Sequence, residues 1–159
     1  MSLIVRAAIN SDVAIVQAFI LALAEYEKLA HEVEITRADI ERDLFGPAPR
    51  LFCDIAEAGG KPIGFAVWFY NYSTFQGCHG IYLEDLFVVP EARGLGGGKA
   101  LLRSLAQRCA AEGLGRLEWA VLNWNAPSIA FYDSIGASAK TDWTTRRLSG
   151  EALSNLAKS

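Results

Sequence analysis

The run "EDLFVVPEARGLGGGKALL", from Glu84 to Leu102, constrains this chain more than any other stretch. An apolar, strand-like segment ends at Pro90, and an amphipathic, helix-like segment follows Lys99. Between them lie Gly94, Leu95, Gly96, Gly97 and Gly98. Glycine costs up to about 1 kcal/mol relative to alanine where it enters a helix. A tight turn needs one or two glycines, not four. A strand, a glycine turn and a helix, in that order, build an anion site. The first N–H groups of the helix have no partner, the helix dipole favours negative charge, and the missing Cβ atoms let a ligand come close to the backbone. Arg93 and Lys99 flank the turn with positive charge, so a phosphate-bearing ligand is expected. The competing reading is a glycine turn that binds nothing.

The offsets narrow the choice of ligand. A Walker loop requires Ser or Thr after its lysine, and Lys99 is followed by Ala100. A dinucleotide fingerprint, G-x-G-x-x-G, started at Gly94 places its third glycine at Lys99. Started at Gly96, it places that glycine at Leu101. Both fail, and the loop sits mid-chain rather than opening a βαβ unit. The pattern that fits is R-x-x-G-x-G, carried by Arg93, Gly96 and Gly98.

The rest of the chain reads as one mixed α/β domain spanning residues 1–159, without linker, repeat or low-complexity segment. "LIVRAA" reads as a strand and "DVAIVQAFILALAEYEKLA" as a helix. "TRADIERDLFG" reads as a helix capped by Thr36 and ended by Gly46. "RLFCDIAEAGGKPIGFAVWFYNYS" reads as two strands turning at "GGKP". "CHGIYLEDLFVVP" is the next strand. In the helix after the glycines, Leu101, Leu102, Leu105, Ala106 and Cys109 share one face. "RLEWAVL" reads as a strand, "APSIAFYDSIG" as a helix, "SAKTDWTTRRL" as a strand and "SGEALSNLAK" as a last helix capped by Ser149.

A net charge of −3 and a pI near 5.4 argue against a nucleic-acid partner. Cys53, Cys78 and Cys109 have no C-x-x-C spacing, so reduced structural thiols and no metal site are expected. The N-terminus lacks signal-peptide regions, and no apolar run reaches the ~18 residues of a membrane span. A cytoplasmic protein with no membrane partner is the expectation.

The R-x-x-G-x-G element resembles the acyl-CoA-binding motif of the GNAT acetyltransferase superfamily. The likeness continues in "NWNAPSIAFYDSIGA", and in "LALAEYEKL" and "IYLEDLFVVPEARG". These look like the diamine branch, which includes spermidine/spermine and thialysine acetyltransferases. The resemblance implies a GNAT-like fold: a central, mostly antiparallel mixed sheet flanked by helices. It implies acetyl-CoA as co-substrate and transfer of its acetyl group to a primary amine of a small diamine, polyamine or lysine-like amino acid. It also implies a homodimer. Acetylation of protein lysines or N-termini is the alternative activity, and a non-enzymatic acyl-CoA-binding module is the alternative class.

The same resemblance assigns residues. The pyrophosphate sits on the backbone from Gly94 through Leu95, Gly96, Gly97 and Gly98 to Lys99, helped by Arg93. The pantetheine arm pairs with Leu86, Phe87 and Val88, and an N–H near Val88 polarises the thioester. Asn125, Ser128 and Tyr132 contact the cofactor. Tyr132 also protonates the departing thiolate, a role that suits a phenol with a pKa of about 10. Glu84 binds the cationic acceptor and takes its proton through water. Tyr26, Glu27, Asp85 and Trp143 complete the acceptor pocket, with Glu27 at the distal ammonium. Glu84 and Asp85 are neighbours in a strand, so they are expected on opposite faces.

Overall fold

The computed structural model describes residues 2–159. The chain falls into two compact units, one ending at Ala120 and the other running Val121–Ser159. The first contains strands β1 (Leu3–Ala7), β2 (Phe52–Ala58), β3 (Lys61–Ser73), β4 (Cys78–Val88) and β5 (Leu117–Glu118). Its helices are α1 (Val13–Tyr26), α2 (Arg37–Phe45) and α3 (Gly97–Glu112). The sheet order is β1-β2-β3-β4-β5. All pairings are antiparallel except β4 with β5, which is parallel. This is the mixed sheet flanked by helices that the family resemblance implied.

Alternation along β3 divides the core between the two faces of the sheet. Phe65 and Val67 point to one face, where Cys53, Ile55 and Phe87 join them against Val13, Val16 and Phe19 of α1 and Ile40 of α2. Ala66 and Trp68 point to the other face, under α3, where the Arg108 guanidinium lies 5.0 Å from the Trp68 ring centroid. Leu101, Leu102 and Leu105 of α3 are buried as their spacing predicts, and Cys109 is half-buried. Ala106 is exposed, because it falls one position beyond the buried stripe.

Two polar devices hold the entry and exit of α1. At the entry, Asp12 pairs with Arg6 at 2.7 Å and accepts the Ile9 N–H at 2.8 Å. The Arg6 guanidinium holds the Asp12 carboxyl below the usual carboxylate range. At the exit, the Leu29 N–H reaches the Ala24 carbonyl at 2.8 Å, and the Lys28 N–H reaches the Glu25 carbonyl at 3.1 Å. That pair of bonds is a Schellman motif, whose left-handed position usually holds glycine. Here Lys28 occupies it, with φ 62°.

The second unit carries α4 (Ala126–Ser134) and α5 (Gly150–Lys158). The strand expected at residues 138–148 is absent, and the segment has no ladder. Ser149 stands at the N-cap of α5, but its side chain makes no capping bond. The strand read from "RLEWAVL" shrinks to Leu117–Glu118. No described helix is long and apolar enough to cross a membrane.

Lys28→Gly removes a left-handed strain of about 1 kcal/mol or more and restores backbone freedom to the unfolded chain. The net expectation is stabilisation of about 0.5–1 kcal/mol, read as a thermal midpoint higher by about 1–4 °C.

Candidate functional site

The site is built on β4, and its geometry depends on one misaligned residue. Trp68 pairs with Leu83, and the next residue back along β3, Val67, pairs with Asp85. Glu84 has no partner across the strand, which makes it a β-bulge. A bulge adds one residue to one strand and changes which face the following side chains meet. Leu83 therefore points under α3, whereas Asp85 and Phe87 point toward α1 and α2. The expectation of opposite faces for Glu84 and Asp85 is corrected. Both carboxylates line one cavity of about 220 Å³ between α1, α2 and the sheet.

The cavity walls are mainly aliphatic, including Val16, Ile20, Ile35, Leu44 and Leu51. Two further acids, Asp39 and Asp43 of α2, reach it. The sequence reading did not single these out, although their i,i+4 spacing beside Ile40 and Leu44 was visible. Asp39 also closes a capping box with Thr36, and Arg42 bridges it at 3.1 Å and Asp43 at 2.9 Å. Asp85 has a different environment. Burial pushes its carboxyl up to about 7, and the negative charges of Glu84 and then Glu27 act in the same direction. Glu27, just after α1, is half-buried and also raised by burial. Three acids from two elements thus concentrate negative field at one place, which suits a cationic ligand.

The other edge of β4 is open. β5 pairs with it only at Ile81 and Tyr82, so among the described residues no strand lies beside β4 from Leu83 to Val88. The Val89 N–H points to β3, where it donates to the Ile63 carbonyl at 2.8 Å. Alternation then places the Val88 and Leu86 N–H groups on the open edge. Phe87 pairs with Phe65, so by the same alternation its backbone groups face β3, and its ring is buried in the core at 5.9 Å from Phe19.

Past the strand, the glycines separate by purpose. Gly94 and Gly96 sit at φ 90° and 89°, a conformation that favours glycine. A Cβ on Gly97 would stand 3.2 Å from Ile63 Cδ1, tighter than ordinary van der Waals contact, so Ile63 would have to shift by a few tenths of an ångström to admit one. A Cβ on Gly98 would meet nothing nearer than Val88 Cγ2 at 3.9 Å. The fold does not require Gly98 to lack a side chain. The first bond of α3 runs from the Ala100 N–H to the Gly96 carbonyl at 2.9 Å. The N–H groups of Gly97, Gly98 and Lys99 therefore have no acceptor within the helix. Leu95 is exposed. Arg93 turns back: its Nε donates to the Val88 carbonyl at 3.2 Å, and its guanidinium lies 4.9 Å from the Tyr26 ring centroid.

Residues 16–137 match the model of the acetyltransferase (GNAT) family. The chain belongs to the GNAT acetyltransferase family. Thialysine N-epsilon-acetyltransferase of Bos taurus is 36% identical to this GNAT enzyme, covering 96% of each chain. L-ornithine N5-acetyltransferase of Arabidopsis thaliana is also 36% identical, over 80% of this chain and 53% of its own length. Among solved structures, an integron cassette protein from the mobile metagenome of V. cholerae aligns with a TM-score of 0.82. It is 27% identical and covers 100% of this chain and 99% of its own.

In the second unit of this GNAT enzyme, Asn125 is buried and caps α4, accepting the Ser128 N–H at 3.4 Å. Tyr132 is half-buried on α4, its ring 5.6 Å from that of Phe131. Trp143 is 77% exposed, in the segment that forms no strand.

Asp85 yields a pH prediction. A carboxyl raised by folding binds its proton more tightly in the native state, so stability falls as pH rises from about 4 to about 7. Asp85→Asn removes this slope. The variant is expected to exceed the parent by about 1–3 kcal/mol at pH 8 and to converge with it below pH 4, as measured by urea unfolding across pH.

Proposed function

We propose that this GNAT enzyme transfers the acetyl group of acetyl-CoA to a primary amine of a small diamine, polyamine or lysine-like amino acid. One observation carries the reading: a single strand, β4, presents the free N–H groups of Leu86 and Val88 on its open edge and the acids Glu84 and Asp85 at its bulge. The edge offers main-chain pairing to an amide-bearing arm and a donor to a thioester oxygen. The acids offer a place for an ammonium. The activities named for the relatives from Bos taurus and Arabidopsis thaliana support the same acceptor class.

In this reading, the pyrophosphate lies on the N–H groups of Gly97, Gly98 and Lys99, with Lys99 as the nearby cation. The acceptor's aliphatic chain enters the cavity between α1, α2 and β4. Glu84 draws a proton from the ammonium through water, the neutral nitrogen attacks the thioester carbon, and the C–S bond breaks. Tyr132 gives its proton to the departing thiolate, and the second proton of the attacking nitrogen leaves through water, which yields the neutral amide and restores the phenol. An alkyl ammonium has a pKa of about 10.4, so the neutral amine is scarce at pH 7, and its consumption pulls the proton transfer forward. Glu27 serves a distal ammonium, and Trp143 is assigned to the same pocket by family resemblance. The exposed Leu153 and Leu156 of α5 support a homodimer in which that face is covered. A cytoplasmic location completes the proposal.

The test is acetyl-CoA consumption across lysine, thialysine, ornithine, putrescine, spermidine and a histone-like peptide. Turnover of the small amines supports the reading, and turnover of the peptide alone overturns it. Tyr132→Phe is expected to bind acetyl-CoA normally and to lose about 10²–10⁴-fold in kcat. Gly98→Ala separates fold from ligand. Its thermal midpoint is expected to hold or rise, because alanine favours the helix by up to about 1 kcal/mol. Its KM for acetyl-CoA is expected to rise roughly tenfold, about 1.4 kcal/mol of lost binding.

A further inference from the structure

Arg93 belongs by sequence to the phosphate loop, yet its side chain is engaged elsewhere. The Val88 carbonyl shares the open edge with the Val88 N–H, and Arg93 Nε caps it at 3.2 Å. The same guanidinium lies over the ring of Tyr26, the last residue of α1, at 4.9 Å from its centroid. A planar guanidinium can bond in its plane and stack on its face at once, which lysine cannot reproduce. Tyr26 immediately precedes Glu27, whose charge acts on Asp85. The chain then turns through the left-handed Lys28, a strained backbone that persists only where its surroundings hold it.

We propose that Arg93 is a positioning residue that couples the two substrates by clamping the Tyr26–Glu27 end of α1 to the Val88 end of β4. This inference rests on the proposed function. The cofactor fixes the loop after β4 and so fixes the guanidinium. The guanidinium holds Tyr26, and Tyr26 holds Glu27 beside the acids of β4. Ligand binding at one end then lowers the ordering cost at the other, and the effect is reciprocal. Arg93 touches no reacting atom. It acts through Tyr26 and the Val88 carbonyl.

The test is a thermodynamic cycle by isothermal titration, with coenzyme A and cadaverine as probes. Each is titrated alone and then in the presence of the other. In the parent protein, coenzyme A is expected to tighten cadaverine by about 5–20-fold, with the same factor in the reverse order. Tyr26→Phe keeps the ring and retains the factor. Tyr26→Leu and Arg93→Lys reduce it to less than about twofold. Thermal melting of each variant shows that it is folded. A merely structural contact changes stability without touching the coupling factor. A factor unchanged in Tyr26→Leu overturns the inference. Cadaverine that binds the parent equally with and without coenzyme A also overturns it, and leaves the proposed function standing. A parent protein that binds neither probe overturns both.

Discussion

β4 has to satisfy two opposed demands, and much of the site follows from how it does so. On one side it completes a ladder with β3 that runs from Cys78 to Val88. On the other it gives up its partner after Tyr82, leaving backbone donors available to a ligand. Unpaired edges are normally a liability, because they invite pairing with any extended chain. In the proposed reading the invitation is the recognition device. The bulge at Glu84 allows both demands within one strand. It keeps Leu83 in the layer under α3 and turns Asp85 and Phe87 into the layer under α1 and α2.

The loop that follows divides its labour in the same way. Gly94 and Gly96 turn the chain, Gly97 lets α3 approach Ile63, and Gly98 leaves room above the helix end. Four glycines in one short loop therefore stand for three physical causes. Only the last of them is left for the proposed ligand.

Much of this was legible in the residues. The glycine offsets alone exclude two phosphate loops, and the strand–glycine–helix order locates α3. The doublet Glu84–Asp85 inside an oily strand marked the site, but its meaning was misjudged. A bulge adds one residue without changing composition, so two adjacent polar side chains were its only trace. The strand expected at residues 138–148 failed for a different reason. "TDWTT" has the β-branched and aromatic residues of a strand, yet a strand exists only where a neighbour supplies its ladder. The acids Asp39 and Asp43 were hidden by their secondary role, since a capping residue and a helical ion pair account for them locally.

The crowding of Glu27, Glu84 and Asp85 bears on how a catalytic cycle ends as well as how it begins. Acetylation converts an ammonium into a neutral amide. In the proposed reaction, the attraction that draws the substrate in is switched off at the reacting nitrogen by the reaction itself. The half-buried Asp85 is left facing like charges, a state relieved by taking up a proton or by admitting the next cation. On that proposal, discharge of product follows from the same electrostatics as capture of substrate.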